Sequence, residues 1–209
     1  MHPVDCPAWE YEDHPRHREI LFRTHKALAL RLRRNQLNLS ACACDSRPVH
    51  EELFRELTPL YCEYYAGHYR GEQYRCLREY RVGIPSDNRV GCAPESVLSE
   101  MEKWRAVVAT FFKQLPVALT RQTPGQLLRY AVATASAFFV SILTLHPYAN
   151  GNGHAARFIV WAVLGSIGRW PRRFPIEPKP AEPRYSQLVR SYRDGDREPL
   201  EMFLLTQLL

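Results

Sequence analysis

The stretch Leu145-His146-Pro147-Tyr148-Ala149-Asn150-Gly151-Asn152-Gly153-His154-Ala155-Ala156-Arg157 gathers residue types that can do chemistry. Pro147 cannot extend a helix, so the apolar helix before it is expected to end at His146. Gly151 and Gly153 permit positive φ, which lets successive backbone N–H groups point into one concavity. The N-terminus of the next helix faces the same place with its unpaired N–H groups and positive dipole end. Arg157, in the first turn, can reach a phosphate held there. His146 stands at the rim, and an ordinary imidazole titrates near ~6.5, suited to proton transfer at neutral pH. A phosphate cradle beside a histidine base points to transfer of a phosphate-containing group onto a hydroxyl. A glycine-rich link can equally be a plain turn between core helices, with a capping histidine.

The elements around this loop read as helices. Pro124 opens a helix that runs to about Leu145. A second runs from about His154 to Ser166, stopped near Gly168. Upstream, Ser96 can cap a helix through about Gln114, with Val97, Met101, Trp104, Val108 and Phe111 on one side. Residues 1–20 read as an irregular arm, Ile20 to Arg34 as a basic helix, Asn35 to Pro48 as a linker and Glu51 to Tyr65 as a helix. Tyr80, Val82 and Ile84 alternate with Arg81 and Gly83 before Pro85-Ser86-Asp87-Asn88, the pattern of a β-hairpin between Tyr80 and Cys92. Pro171 to Pro183 is Pro-rich and extended, and short helices are expected near Tyr185–Arg193 and Pro199–Leu208. The fold class is therefore all-α, a helical bundle carrying one β-hairpin. Residues 1–50 form an arm and helical extension, and 51–209 the main domain.

A chain of 209 residues can bury a sizeable core, and 45% hydrophobic with 24% charged residues is ordinary globular composition. The net charge of +6 raises the question of a polyanionic partner. Lysine supplies only Lys26, Lys103, Lys113 and Lys179 of the 28 cations, and the arginines are scattered with no basic tail, so no nucleic-acid partner is expected. Cysteines 6, 42, 44, 62, 76 and 92 contain no C-x-x-C pair, which argues against a zinc site and fits a reduced set of thiols in the cytoplasm. Met1 to Trp9 has no apolar signal core. Ala131 to Leu145 is uncharged for fifteen residues, short of the roughly 20 that span a bilayer, so a buried core helix is expected and no membrane.

The loop resembles the signature of the Fic/Doc (fido) family, H-P-F-x-[D/E]-G-N-G-R-x-x-R. His146, Pro147, Gly151, Asn152, Gly153 and Arg157 match, and Tyr148 replaces Phe. Gly71-Glu72-Gln73-Tyr74-Arg75, followed by the 80–92 hairpin, looks like the family's G-x-Y-R segment and flap, so the resemblance covers about 71–168. It implies a fido-type bundle that transfers AMP from ATP, with Mg²⁺ or Mn²⁺, to a protein Ser, Thr or Tyr hydroxyl, releasing pyrophosphate. His146 would be the catalytic base. Asn150, Gly151, Asn152, Gly153, His154 and Arg157 would bind the phosphates, and Tyr148 would anchor the loop. The hairpin, through Tyr80, Val82 and Ile84, would pair with an extended segment of the target protein.

Two positions depart from the signature. Asn150 stands where the family has its acidic metal ligand, leaving an uncharged oxygen for a hard cation. His154 stands in place of the first arginine, so an imidazole replaces a guanidinium fork. Three readings follow: a transferase with a weakened metal site, a relative using another donor (UMP, phosphate or phosphocholine), or a degenerate module that binds a partner or nucleotide without turnover. The family's inhibitory pattern [S/T]-x-x-x-E-[G/N] is not found; a separate antitoxin-like protein could supply the inhibitory glutamate, and unrestrained activity or none at all are equally open. Tyr61, Tyr64, Tyr65, Tyr69 and Tyr74 read as core or as a platform for a base. Arg169, Arg172 and Arg173 extend the phosphate pocket or are solvated.

Overall fold

The computed structural model describes residues 6–84, 87–181 and 184–208. Its described helices, in chain order, are α1 (His17–Arg33), α2 (Leu39–Cys44), α3 (Arg47–Phe54), α4 (Pro94–Arg121), α5 (Pro124–Leu145), α6 (Asn152–Gly165), α7 (Arg184–Arg193) and α8 (Glu198–Thr206). The all-α expectation holds at this level. The reason is visible in α6. It is apolar all round, and Asn152 and every residue from His154 to Leu164 are buried, so it must run through the interior rather than along a surface. It packs mainly on α5 and also touches α1, α2 and α3. The helix α4 lies across α2 and α5, while α7 and α8 close the far side of α5. By length and composition α5 could cross a membrane. Here Ala131, Ala135, Phe139 and Ile142 are buried in the core.

Helix ends depart from the sequence reading for local reasons. Thr123 and Gln126 form a reciprocal capping box, so α5 starts where Pro124 suggested. Ser96 caps nothing: α4 begins at Pro94, which needs no N–H partner in the first turn. The same helix runs through the exposed Pro116 to Arg121 instead of stopping near Gln114. At an exposed site the carbonyl that proline leaves unpaired can be hydrated, which makes the proline tolerable. Residues 35–48 are not a plain linker, since Asn38 Oδ1 accepts the Ala41 N–H and caps α2. The expected helix 51–65 is α3, started earlier at Arg47, followed by 3₁₀ turns at Arg55–Leu57 and Glu63–Tyr65.

The expected hairpin reduces, among the described residues, to one antiparallel bridge between Ile84 and Asp87. Its central Pro85-Ser86 lies outside the described residues, as do residues 1–5 of the arm and Glu182-Pro183 of the Pro-rich stretch. The chain after this turn pairs with a helix end instead of forming a ladder. Gly91 N–H donates to Thr144 O at 2.8 Å and Cys92 N–H to Leu145 O at 3.3 Å, meeting carbonyls that α5 leaves open at its terminus. Gly91 is required there: its φ is +88°, and a Cβ would lie 2.3 Å from Val82 O.

The expectation of six free thiols is overturned. Cys6 and Cys76 are joined by a disulfide with Cα atoms 5.3 Å apart. The arm explains it, because residues 6–13 lie against the 57–80 segment. Trp9 is buried, its Nε1–H donates to Leu57 O at 2.8 Å, and Tyr65 Oη donates to Pro7 O at 3.0 Å. Trp9 and, on α1, Ile20, Leu21, Leu28 and Leu32 share one core with the rest of the bundle.

Candidate functional site

The last residue before the loop, His146, sits in the left-handed region at φ 51°, ψ 58°. That conformation costs a non-glycine residue roughly 1–2 kcal/mol, so its surroundings must hold it. Two contacts do. The His146 Nδ1–H donates to Leu143 O at 2.9 Å, and Arg70 Nε–H donates to His146 O at 2.8 Å. The first contact fixes the tautomer and leaves Nε2 as the free, basic nitrogen. Burial, followed by the positive fields of Arg70 and Arg193, pushes the His146 pKa below its usual value. The imidazole is therefore neutral and able to accept a proton at neutral pH.

The loop is braced from inside. Asn152 folds its amide back on the peptide of Tyr148, accepting from its N–H and donating to its O, both at 2.9 Å. Its side chain is thus a loop brace, and what it can offer an anion is its backbone N–H at the start of α6. Tyr148 is fully buried, with its hydroxyl 2.7 Å from Ser46 Oγ, as the anchoring role requires. His50 stacks on the Tyr148 ring at 3.8 Å, donates Nε2–H to Asn150 O at 2.9 Å, and accepts the Gly67 N–H at Nδ1. Gly151 caps α6 at φ +75°, and a Cβ there would lie 2.5 Å from the Phe54 ring and 2.9 Å from His50 Nε2.

The side chains expected to meet phosphates are already engaged. Asn150 Oδ1 accepts the Gly151 N–H at 2.6 Å, while its Nδ2 donates to Trp9 O at 2.7 Å and Glu10 Oε2 at 3.1 Å. His154 is buried and its Nε2–H donates to Glu177 Oε2 at 2.7 Å. Desolvation outweighs that partner and lowers the His154 pKa to about 4, so the pair joins a neutral imidazole to a carboxylate. Arg157 is buried, with Nε–H donating to Ile176 O at 2.7 Å and Nη2 lying 4.0 Å from Glu177 Oε2. Its Nη1 lies where a Cβ on Gly153 would meet it at 3.1 Å, beneath the loop.

The structure thus brings His146, Asn150, Gly151, Asn152, Gly153, His154 and Arg157 into one loop and helix start. The proposed flap residues divide. The Tyr80 hydroxyl accepts the Trp9 N–H at 3.0 Å and its ring packs on Tyr65, so it belongs to the interior. Ile84 is exposed and Val82 partly so. The aromatic set splits similarly: Tyr65 and Tyr69 are core, whereas Tyr61 and Tyr74 are exposed.

Among the described residues no cluster of three His, Cys, Asp or Glu could hold a metal ion alone. Asn150 Oδ1, which accepts the Gly151 N–H but keeps a second lone pair, and the Glu10 carboxylate beside Asn150 Nδ2 are the oxygens that would hold magnesium together with phosphates.

Sequence reasoning missed four residues. Glu10 and Trp9 reach Asn150 from the arm, and Glu177 reaches His154 from the Pro-rich stretch. Arg70 is fully buried and ties the loop to the rest of the fold. The signal for it was present, since Gly67-His68-Tyr69-Arg70 has the G-x-Y-R spacing that was assigned to Gly71–Arg75.

Two buried histidines set a pH dependence. Burial lowers His50 to about 3 and His154 to about 4. Above about pH 6.5 neither the folded nor the unfolded chain protonates them, and their stability is fully present. Below it the unfolded chain takes up protons that the folded chain refuses. Stability then falls with acid by up to about 1.4 kcal/mol per pH unit per histidine, until the folded values are reached. Urea midpoints at about pH 7 and pH 5 should therefore drop by the equivalent of about 2–4 kcal/mol, and an unchanged midpoint would show that these imidazoles are not buried neutral.

Set against models of known protein families, the chain matches none, and no curated protein matches it in sequence.

Proposed function

We propose that the chain is a Fic-type transferase that moves a nucleoside monophosphate, AMP from ATP in the first instance, onto a protein hydroxyl. The observation that carries this reading is His146. It is held in a strained conformation with its tautomer fixed and Nε2 free, one short loop before the N-terminus of α6. A strained, over-determined histidine leading into an anion-attracting helix end is what proton abstraction beside a phosphate requires.

In this reading the target hydroxyl oxygen attacks the α-phosphorus while its proton passes to His146 Nε2. The bond to the β-phosphate oxygen breaks and pyrophosphate leaves. The backbone N–H groups of Asn152 and Gly153 stabilise phosphate charge. The 81–84 segment, whose Arg81, Val82 and Gly83 form no backbone hydrogen bond among the described residues, offers an edge for the target segment. A divalent metal would supply charge neutralisation of the phosphates, but no step here runs through it.

A second reading, a binding module without turnover, is favoured by one observation. Asn150, His154 and Arg157 all have protein partners where phosphates would need them. Incubating the protein and cell lysate with ATP, UTP, CTP or GTP, each labelled at the α-phosphate, separates the two. Label on protein from any of them supports transfer; nucleotide binding without label supports the module.

A further inference from the structure

A groove away from the loop has a chemistry of its own. It runs between the exposed face of α1 and the segment 168–175, and it has two joined compartments. One, of about 320 Å³, is largely apolar, walled by Phe22, Leu30, Trp161, Pro171 and Pro175. The other, of about 410 Å³, is walled by Arg33, Arg169, Trp170 and Arg172. Arg33 and Arg172 belong to both. Lys26 stands on the rim of the apolar compartment, and neither compartment has an acidic residue in its walls.

None of Lys26, Arg33, Arg169 and Arg172 forms an ion pair among the described residues. Arg31, Arg47, Arg89 and Arg193 have carboxylate partners; what marks the groove is that its unpaired cations gather in one place with no acidic residue in the walls. Aromatic faces accompany the charge. The Arg33 guanidinium lies over the Trp161 ring at 5.3 Å, Trp161 and Trp170 are 5.9 Å apart, and Phe22 is 65% exposed.

We infer that this groove binds a nucleoside phosphate, with the ring in the compartment bearing Phe22 and the phosphates in the one bearing Arg33, Arg169 and Arg172. Charge complementarity calls for an anion, and guanidinium forks match phosphate oxygens. The two ends of the groove differ, with Phe22 and Leu30 at one, Arg169 at the other and Arg33 and Arg172 common to both compartments, and that polarity selects among anions. A nucleotide has its flat ring at one end and its charge at the other, whereas an acidic peptide spreads carboxylates along its length. Stacking on an aromatic face beside arginines is how proteins hold bases without reading sequence. The inference does not rest on the loop chemistry, because His146 lines neither compartment.

Two probes distinguish free nucleotide from polynucleotide: ADP, followed by calorimetry, and a fluorescent single-stranded DNA of about ten nucleotides, followed by anisotropy. Binding of ADP comparable to the oligonucleotide assigns free nucleotide, and much tighter binding of the oligonucleotide assigns a strand. The double variant Arg169→Ala/Arg172→Ala should weaken the bound probe at least tenfold. Phe22→Ser, a change at an exposed position, should weaken it severalfold, while Val117→Ser, exposed on α4 and lining neither compartment, leaves it unchanged. Raising salt from about 50 to 200 mM should cost roughly tenfold for contact with two or three phosphates. Failure of both probes to bind overturns the assignment. So does undiminished binding by the folded double variant, or displacement by polyglutamate as effective as by nucleotide.

Discussion

Replacing Arg70 by methionine is expected to destabilise the folded chain by about 3–5 kcal/mol, because it leaves buried carbonyls without their donor. The side chain is fully buried. Its Nε–H serves His146 O, Nη1–H serves Tyr80 O at 3.1 Å, and Nη2 serves Cys92 O and Leu145 O at 3.1 and 3.2 Å. One guanidinium thus joins the end of α5, the start of the loop and both limbs of the 80–92 turn. Burial lowers its pKa, but the surrounding carbonyl oxygens hold the charged form that a fork of donors needs. Methionine keeps the volume and removes all four hydrogen bonds. Arg70→Lys keeps the charge but not the fork, and should recover part of the loss. Urea unfolding measures both. A methionine variant with the wild-type midpoint would mean that the buried arginine does not hold this junction together.

The second large effect is expected at Glu177. Its carboxylate contacts His154 and stands 4.0 Å from Arg157, placing negative charge where transferred phosphates would lie. Like charges about 4 Å apart near a protein surface repel by up to about 4 kcal/mol. Glu177→Gln is isosteric and removes the charge while leaving an acceptor for the His154 N–H. If the loop binds nucleotide, the variant should bind and transfer roughly tenfold to a hundredfold more than wild type. Its unfolding midpoint is the control for a merely loosened fold. A stable Gln variant with unchanged activity would show that this carboxylate does not restrain the site.

These two residues also mark how far the sequence could be read. The end of α5 and the start of α6 follow from Pro147 and the glycines within a dozen residues, and local rules reach that far; the burial of Tyr148 was implied by the resemblance alone. Arg70 follows from no local rule. Two Tyr-Arg pairs lie five residues apart, and what singles out the first is a set of carbonyls up to 76 residues away. Asn150 looked like a weakened metal ligand because it stands where the resembled signature has its acidic residue. Its partners in the fold come from Trp9 and Glu10, some 140 residues earlier. Glu177 was hidden in a proline-rich stretch with no periodicity to place it. The hairpin pattern was present, but Gly91 and Cys92 found better acceptors at the end of α5 than a second strand offered.

The composition acquires a location as well. Some of the arginines are paired on the surface, as in Arg23–Glu56 and Arg31–Glu52, and exposed pairs of this kind contribute little to stability. The unpaired remainder includes the wall between α1 and residues 168–175, where charge can act on a ligand.

Transfer through His146 is the central claim, and one experiment meets it directly. Lysate proteins are labelled from ATP carrying its label at the α-phosphate, using Glu177→Gln alone and Glu177→Gln combined with His146→Ala. The predicted result is label on protein with the single variant and background with the double, both chains being folded. Equal label from the two would contradict the role of His146 as the base.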